Sequence, residues 1–159
     1  PPPTRRRVIE YTCRFGDPET QAVLPLVEGD LLEIMIATQA GTLDECEIKL
    51  SDKSSCCLVL ASGGYPEKYE KGKLITFDGD VEADCGVCIF HAGTKLGTPD
   101  SSEFVTSGGR VLGITAGRDT LEEAVRAAYA AAERVHFDGK YSRSDIGLSA
   151  LRESRLKNG

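Results

Sequence analysis

From residue 47 onward the chain alternates short apolar runs with turn residues: "CCLVLASGG", "GKLITF", "CGVCIFHAG", "EFVTSGG" and "RVLGITAG". Each run is strand-sized and rich in the β-branched and aromatic residues that pack well on a pleated surface, and Gly, Pro, Asp and Ser separate them. Short strands at this spacing restrict the segment to a small barrel or sandwich. The series is closed by "DTLEEAVRAAYAAAERV", the clearest helix in the chain. There Leu121, Ala124, Val125, Ala128 and Val135 form a stripe to bury, behind a capping-box-like start of Asp119 with Glu122 three residues on.

The first 46 residues are different in kind. "VIEYTCRFGDPETQ" reads as a strand over residues 7–15, with Glu10, Thr12 and Arg14 on one face and Ile9, Tyr11, Cys13 and Phe15 on the other. Asp17 suits a helix N-cap, Pro18 the first helical position and Glu19 the positive helix end. Helical spacing continues through "ETQAVLPLVEGDLLEIMIATQAGTL". Pro25 splits it, so the reading is two helices, about 18–28 and 30–40, ended by Gly41. A lone strand is not stable, so the opening strand needs neighbours from the later strands or from sequence that precedes it. Residues 1–7, "PPPTRRR", read as a linker or cut end. The element order therefore predicts an α+β protein: a strand and helices over 8–46, a small β-rich domain with one long helix over 47–150, and a tail over 151–159.

Charge narrows the partners. A formal net charge of −6 and a pI near 5.0 leave no basic footprint for nucleic acid, although a small phosphorylated ligand needs only a local basic pocket. No apolar run approaches the roughly 20 residues that span a bilayer and no signal-peptide pattern opens the chain, so a cytoplasmic location without a membrane partner is the expectation. Of the six cysteines, Cys13, Cys56, Cys57 and Cys88 lie in apolar runs, the usual place of buried reduced thiols. "CGVC" at 85–88 has redox and zinc spacing. As extended chain, however, it points its two thiols to opposite faces, and even with His91 a zinc ion would lack a fourth ligand.

Four constellations carry chemistry. Glu10 and Thr12 could hold a hard cation with Arg14 holding phosphate charge, or the three could be a solvated strand face with a weak ion pair. "SGGYPEKYEKGK", residues 62–73, could cradle phosphate on Gly-rich backbone with Lys71 and Lys73, or be a solvent loop. His91 in "HAGT" could contact a ligand or serve as a satisfied structural group. In "TSGGRVLG", Arg110 follows a glycine turn and makes a plausible phosphate anchor. The tail "FDGKYSRSDIG" is basic enough to contact a ligand or to pack over the strands.

Taken together, "VIEYTCRFGDPETQ", "LASGGYPEKYEKGK", "FHAGTK", "VTSGGRVLGITA", "DTLEEAVRAAY" and "HFDGKYSRSDIG" resemble, in this order, the C-terminal part of the phosphoribosylamine–glycine ligases (glycinamide ribonucleotide synthetases), a family of ATP-grasp ligases. The resemblance implies the end of an ATP-grasp domain followed by a small barrel or sandwich-hybrid domain. It implies a part in joining glycine to 5-phosphoribosylamine in purine biosynthesis, with ATP as co-substrate and Mg²⁺ or Mn²⁺ as cofactor. It further implies that the nucleotide-clamping N-terminal portion of the same enzyme is a partner, so that this chain alone is incomplete. By the family pattern Glu-x-Asn-x-Arg-Phe-Gly-Asp-Pro-Glu, Glu10 falls on a metal-ligand position and Arg14 on the charge-stabilising Arg. Thr12 stands where the family has Asn, a departure that weakens the metal site because a Thr hydroxyl is shorter and a poorer donor to metal. Asp17 matches too, and by looser analogy with related ligases Arg110 would bind the ribose phosphate, with Lys71 and Lys73 behind it. The alternative is a non-catalytic β-rich fragment that binds a ligand or partner without turnover.

Overall fold

The structure, a computed structural model, describes Tyr11 and residues 13–158. Its elements are α1 (Glu19–Val23), β1 (Val27–Glu28), α2 (Leu31–Ala40), β2 (Lys49–Leu50), β3 (Ser54–Ser62), β4 (Leu74–Phe77), α3 (Val81–Cys85), β5 (Val87–His91), β6 (Thr94–Leu96), β7 (Phe104–Thr106), β8 (Arg110–Arg118), α4 (Leu121–Glu133), β9 (Val135–His136), β10 (Lys140–Tyr141) and α5 (Leu148–Asn158). The architecture is α+β. One antiparallel sheet runs β10-β3-β8-β5, a second runs β6-β7-β4-β9, and β1 pairs with β2.

The core forms where α4 lies on β3 and β8. The alternating residues Cys56, Leu58 and Leu60 of β3 and Leu112, Ile114 and Ala116 of β8 point into it. Ala124, Val125, Ala128, Ala131 and Ala132 of α4 meet them. The small side chains of that helix let it approach the sheet closely. Val135, expected on the helical stripe, is fully buried one element later, in β9.

Several expectations are corrected. The opening strand over 7–15 is not borne out where it is described: Tyr11 and residues 13–15 are irregular, and none of the strands above pairs with them. A strand without a hydrogen-bonded neighbour has nothing to hold it extended. Asp17 does not cap α1. Pro18 occupies the cap position without a side-chain bond, and Glu19 Oε2 instead accepts the Gly16 N–H at 2.6 Å. The cap of α4 is Thr120, whose hydroxyl accepts from Glu123 N at 3.2 Å, one residue later than expected. "CGVC" is not one strand, because Cys85 ends α3 and Val87 begins β5. Of the four thiols expected in the interior, Cys56 is buried and Cys57 half-buried, whereas Cys13 and Cys88 are exposed. Cys88 sits on the outward side of a strand that closes one edge of its sheet, and Cys13 lies in the irregular lead-in. Helix α2 is as expected: the Asp30 carboxylate accepts from Leu32 N and Glu33 N, and Gly41 closes it with φ 74°. Its apolar residues stay at the surface, with Leu32, Met35 and Ile36 all more than half exposed.

Candidate functional site

The face of β3 turned away from α4 carries Cys57, Val59 and Ala61, the odd-numbered set left over once the even-numbered residues enter the core. Those three side chains floor a cleft of about 400 Å³. Pro18 walls it from the start of α1, Tyr65 and Pro66 from the loop after β3, and Tyr141, Ser142, Arg143 and Ile146 from β10 and the turn that follows. Its volume and largely apolar lining with a few polar groups are those of a small-molecule site.

A bulge brings Arg110 there. Along β3 and β8, Cys57 faces Thr115 and Val59 faces Gly113, but Ala61 faces Arg110 and not Val111. Without the shift, strict alternation would place Arg110 with Leu112 and Ile114 on the core face. The extra residue instead sends Val111 fully into the core and turns Arg110 onto the cleft side. The same edge is fixed by Ser62, whose N–H donates to Gly109 O at 2.8 Å and whose hydroxyl donates to Gly108 O at 2.9 Å. A Cβ on Gly109 would lie 2.1 Å from Cδ2 of Tyr65, so the ring wall of the cleft rests directly on this glycine backbone.

Two of the expected substrate residues therefore meet. Arg110 Nη1 donates to Asp17 O at 2.6 Å, and its Nη2 lies 3.5 Å from Asp17 Oδ2, which joins segments 93 positions apart. Arg14 is exposed, with Nη1 donating to Phe15 O at 3.4 Å, and it does not line the cleft. Lys71 lies over the Tyr69 ring, with Nζ 5.8 Å from the centroid. Lys73 is held between Glu70 Oε2 at 2.7 Å and Asp138 Oδ2 at 2.9 Å, which raises its pKa and lowers that of Asp138. Neither lysine lines the cleft. His91 bonds the Thr94 hydroxyl through Nδ1 at 2.9 Å and packs on Phe104.

Glu10 and Thr12, the expected metal ligands, lie outside the described residues. Among the described residues no group of three His, Cys, Asp or Glu side chains could hold a metal ion. Burial pushes the Cys57 thiol up at the cleft floor; the Thr115 hydroxyl opposes that shift and the Asp17 carboxylate adds to it. At the other rim Arg143 grips Asp145 with two bonds, Nε to Oδ1 at 2.8 Å and Nη2 to Oδ2 at 2.6 Å. No residue of the tail was singled out from the sequence; the Arg-x-Asp spacing at 143–145 was the available signal. An apolar floor with guanidinium groups from two separate elements suits a ligand with an uncharged body and an anionic end.

Comparison with known proteins adds a family. The profile described as "Phosphoribosylglycinamide synthetase, C domain" matches residues 55–149. A bifunctional purine biosynthetic protein of Schizosaccharomyces pombe is 49% identical over 153 residues, covering 96% of this chain and 19% of that protein. The phosphoribosylamine–glycine ligase of Chlorobaculum tepidum is 44% identical over 144 residues, covering 91% of this chain and 33% of the ligase. The crystal structure of the Thermotoga maritima phosphoribosylamine–glycine ligase superposes with a TM-score of 0.66 at 35% identity, over 87% of this chain and 33% of that one. The chain thus spans between a fifth and a third of the length of these relatives.

Proposed function

Since the chain belongs to the phosphoribosylglycinamide synthetase C-domain family, we propose that it is the C-terminal portion of an ATP-dependent carbon–nitrogen ligase. That ligase joins glycine to 5-phosphoribosylamine and releases ADP and phosphate, in the cytoplasm, as a step of purine biosynthesis. The single observation that carries the reading is the match to proteins named phosphoribosylamine–glycine ligase at 42% and 44% identity, over 95% and 91% of this chain and 34% and 33% of theirs. The partner in this reading is the N-terminal portion of the same enzyme, which clamps the nucleotide. The described residues would correspond to the end of an ATP-grasp domain through α2, followed by the β-rich domain in a barrel or sandwich-hybrid arrangement.

In this reading the cleft takes the phosphorylated substrate. Arg110 receives its phosphate, which requires the guanidinium to exchange its half-exposed contact with Asp17 for a stronger charge-assisted one. The apolar floor of Val59 and Ala61 excludes water beneath the sugar. Lys71 contributes positive charge from outside the cleft, and Lys73 could do so only on leaving Glu70 and Asp138, which hold it. Arg14 stabilises negative charge on the transferring phosphoryl group. Mg²⁺ or Mn²⁺, when bound, offsets triphosphate charge, and Glu10 and Thr12 would hold it.

The test is turnover. The 159-residue chain is supplied with ATP, glycine and phosphoribosylamine, alone and with the preceding portion of a phosphoribosylamine–glycine ligase in trans. Glycine-dependent ADP release only in the mixture is expected. No release from a mixture that forms a complex refutes the ligase reading, and release from the chain alone refutes its incompleteness.

A further inference from the structure

Tyr129 lies on α4, half-buried and outside the cleft lining, yet its hydroxyl holds the turn that walls the cleft at two points. The phenol donates to Arg143 O at 2.7 Å and accepts from Ile146 N at 3.1 Å. Its proton and a lone pair are thus both committed to the turn over residues 143–146. The next residue locks the turn to the same helix: Gly147 has φ +81°, and a Cβ there would lie 2.5 Å from Val125 Cγ2. Within the turn, Asp145 takes Nε and Nη2 of Arg143 and leaves Nη1 without a bond among the described residues. Arg110 likewise keeps Nε without a bond among the described residues. The cleft is therefore bracketed by two guanidinium groups, each aimed by an aspartate, with the Ser142 hydroxyl between β10 and Arg143.

We propose that Arg143 is a second anion-binding residue of the cleft and that Tyr129 is the positioning residue that sets it. The inference rests on the reading that the cleft takes the phosphate of a phosphorylated substrate. A planar guanidinium recognises a phosphate by direction as well as charge, so the gain depends on the turn being held, and the phenol holds it.

The test uses the 159-residue chain with ribose 5-phosphate as probe and ribose as control. Titration followed by amide NMR is expected to show saturable binding of ribose 5-phosphate, with shifts at Arg110 and Arg143, and none of ribose. Arg143→Ala should weaken binding about tenfold or more, the loss of one charge-assisted contact. Tyr129→Phe should weaken it about three- to tenfold and speed hydrogen exchange at Ile146 N, with the melting temperature within a few degrees of wild type. Wild-type affinity in Tyr129→Phe with faster exchange at Ile146 overturns the positioning role and leaves a structural bond. Wild-type affinity in Arg143→Ala overturns the second anchor. Absence of any ribose 5-phosphate binding overturns the inference together with the assignment of phosphate to this cleft, whereas the ligase reading itself is judged by turnover and not by this titration.

Discussion

Gly109→Ala is the sharpest test of how the cleft is built. The added methyl would lie 2.1 and 2.6 Å from Cδ2 and Cε2 of Tyr65, distances that real Cβ atoms essentially never show. Tyr65 is 38% exposed, so the ring can swing outward and does not force the backbone apart. The cost is then set by the ring contact that is lost. An aromatic side chain buries on the order of 200 Å², and exposing roughly half of it costs about 2.5 kcal/mol at ~25 cal/mol/Å². Against this, alanine restricts the unfolded chain and returns about 0.4–1 kcal/mol, because Gly109 does not occupy the left-handed region. A net destabilisation of about 1.5–2 kcal/mol follows, read as a lower urea midpoint at unchanged slope by far-ultraviolet circular dichroism. In a Tyr65→Ala background the methyl has nothing to strike, so Gly109→Ala should become neutral or slightly stabilising, a coupling of about 1.5 kcal/mol or more. Equal costs in the two backgrounds would refute the claim that the Tyr65 ring rests on the Gly109 backbone.

Two further outcomes follow from burial. Burial, with Cys57 adjacent, pushes the Cys56 thiol up to about 11, so at pH 8 only about one in a thousand Cys56 side chains is a thiolate. In native protein Cys13 and Cys88 should react with an aromatic disulfide reagent first and Cys56 only on unfolding; mass mapping that finds Cys56 modified as fast as Cys88 would contradict this. Leu58 is fully buried between the sheet and α4, so Leu58→Ala should cost about 2–5 kcal/mol in urea unfolding, and a loss below about 1 kcal/mol would mean that this layer is not the core.

The sequence made visible those elements whose pattern is long or whose caps are explicit. The 13 residues of α4 carry a strong helical stripe, and α2 is bracketed by Asp30 and Gly41. The interior strands β3 and β8 are nine residues each and announce themselves by apolar continuity. Short elements were lost. The five residues of α3 in "VEADC" span only about 1.4 turns, too few for a stripe to repeat, and the turn-rich tail concealed β10, which exists only because β3 offers an edge for it to pair with. The decisive omission was the bulge. Period-two alternation alone assigns Arg110 to the core face, and only the pairing of Ala61 with Arg110 shows that Val111 takes the interior place. Arg110 stands out in the sequence for its glycine turn, and the bulge that turns it onto the cleft side leaves no mark there. Arg143 was missed because its role depends on Tyr129, 14 positions earlier, a contact that no local spacing records.

The central claim, that this chain completes a phosphoribosylamine–glycine ligase, is tested most directly by grafting it in place of the C-terminal third of such a ligase in a purine auxotroph that lacks the enzyme. The account predicts growth without added purine, and growth lost again when Arg110→Ala and Arg143→Ala are combined in the graft. A graft that accumulates as folded protein yet supports no growth would contradict it, whereas growth indifferent to both substitutions would contradict only the assignment of the phosphate to the cleft.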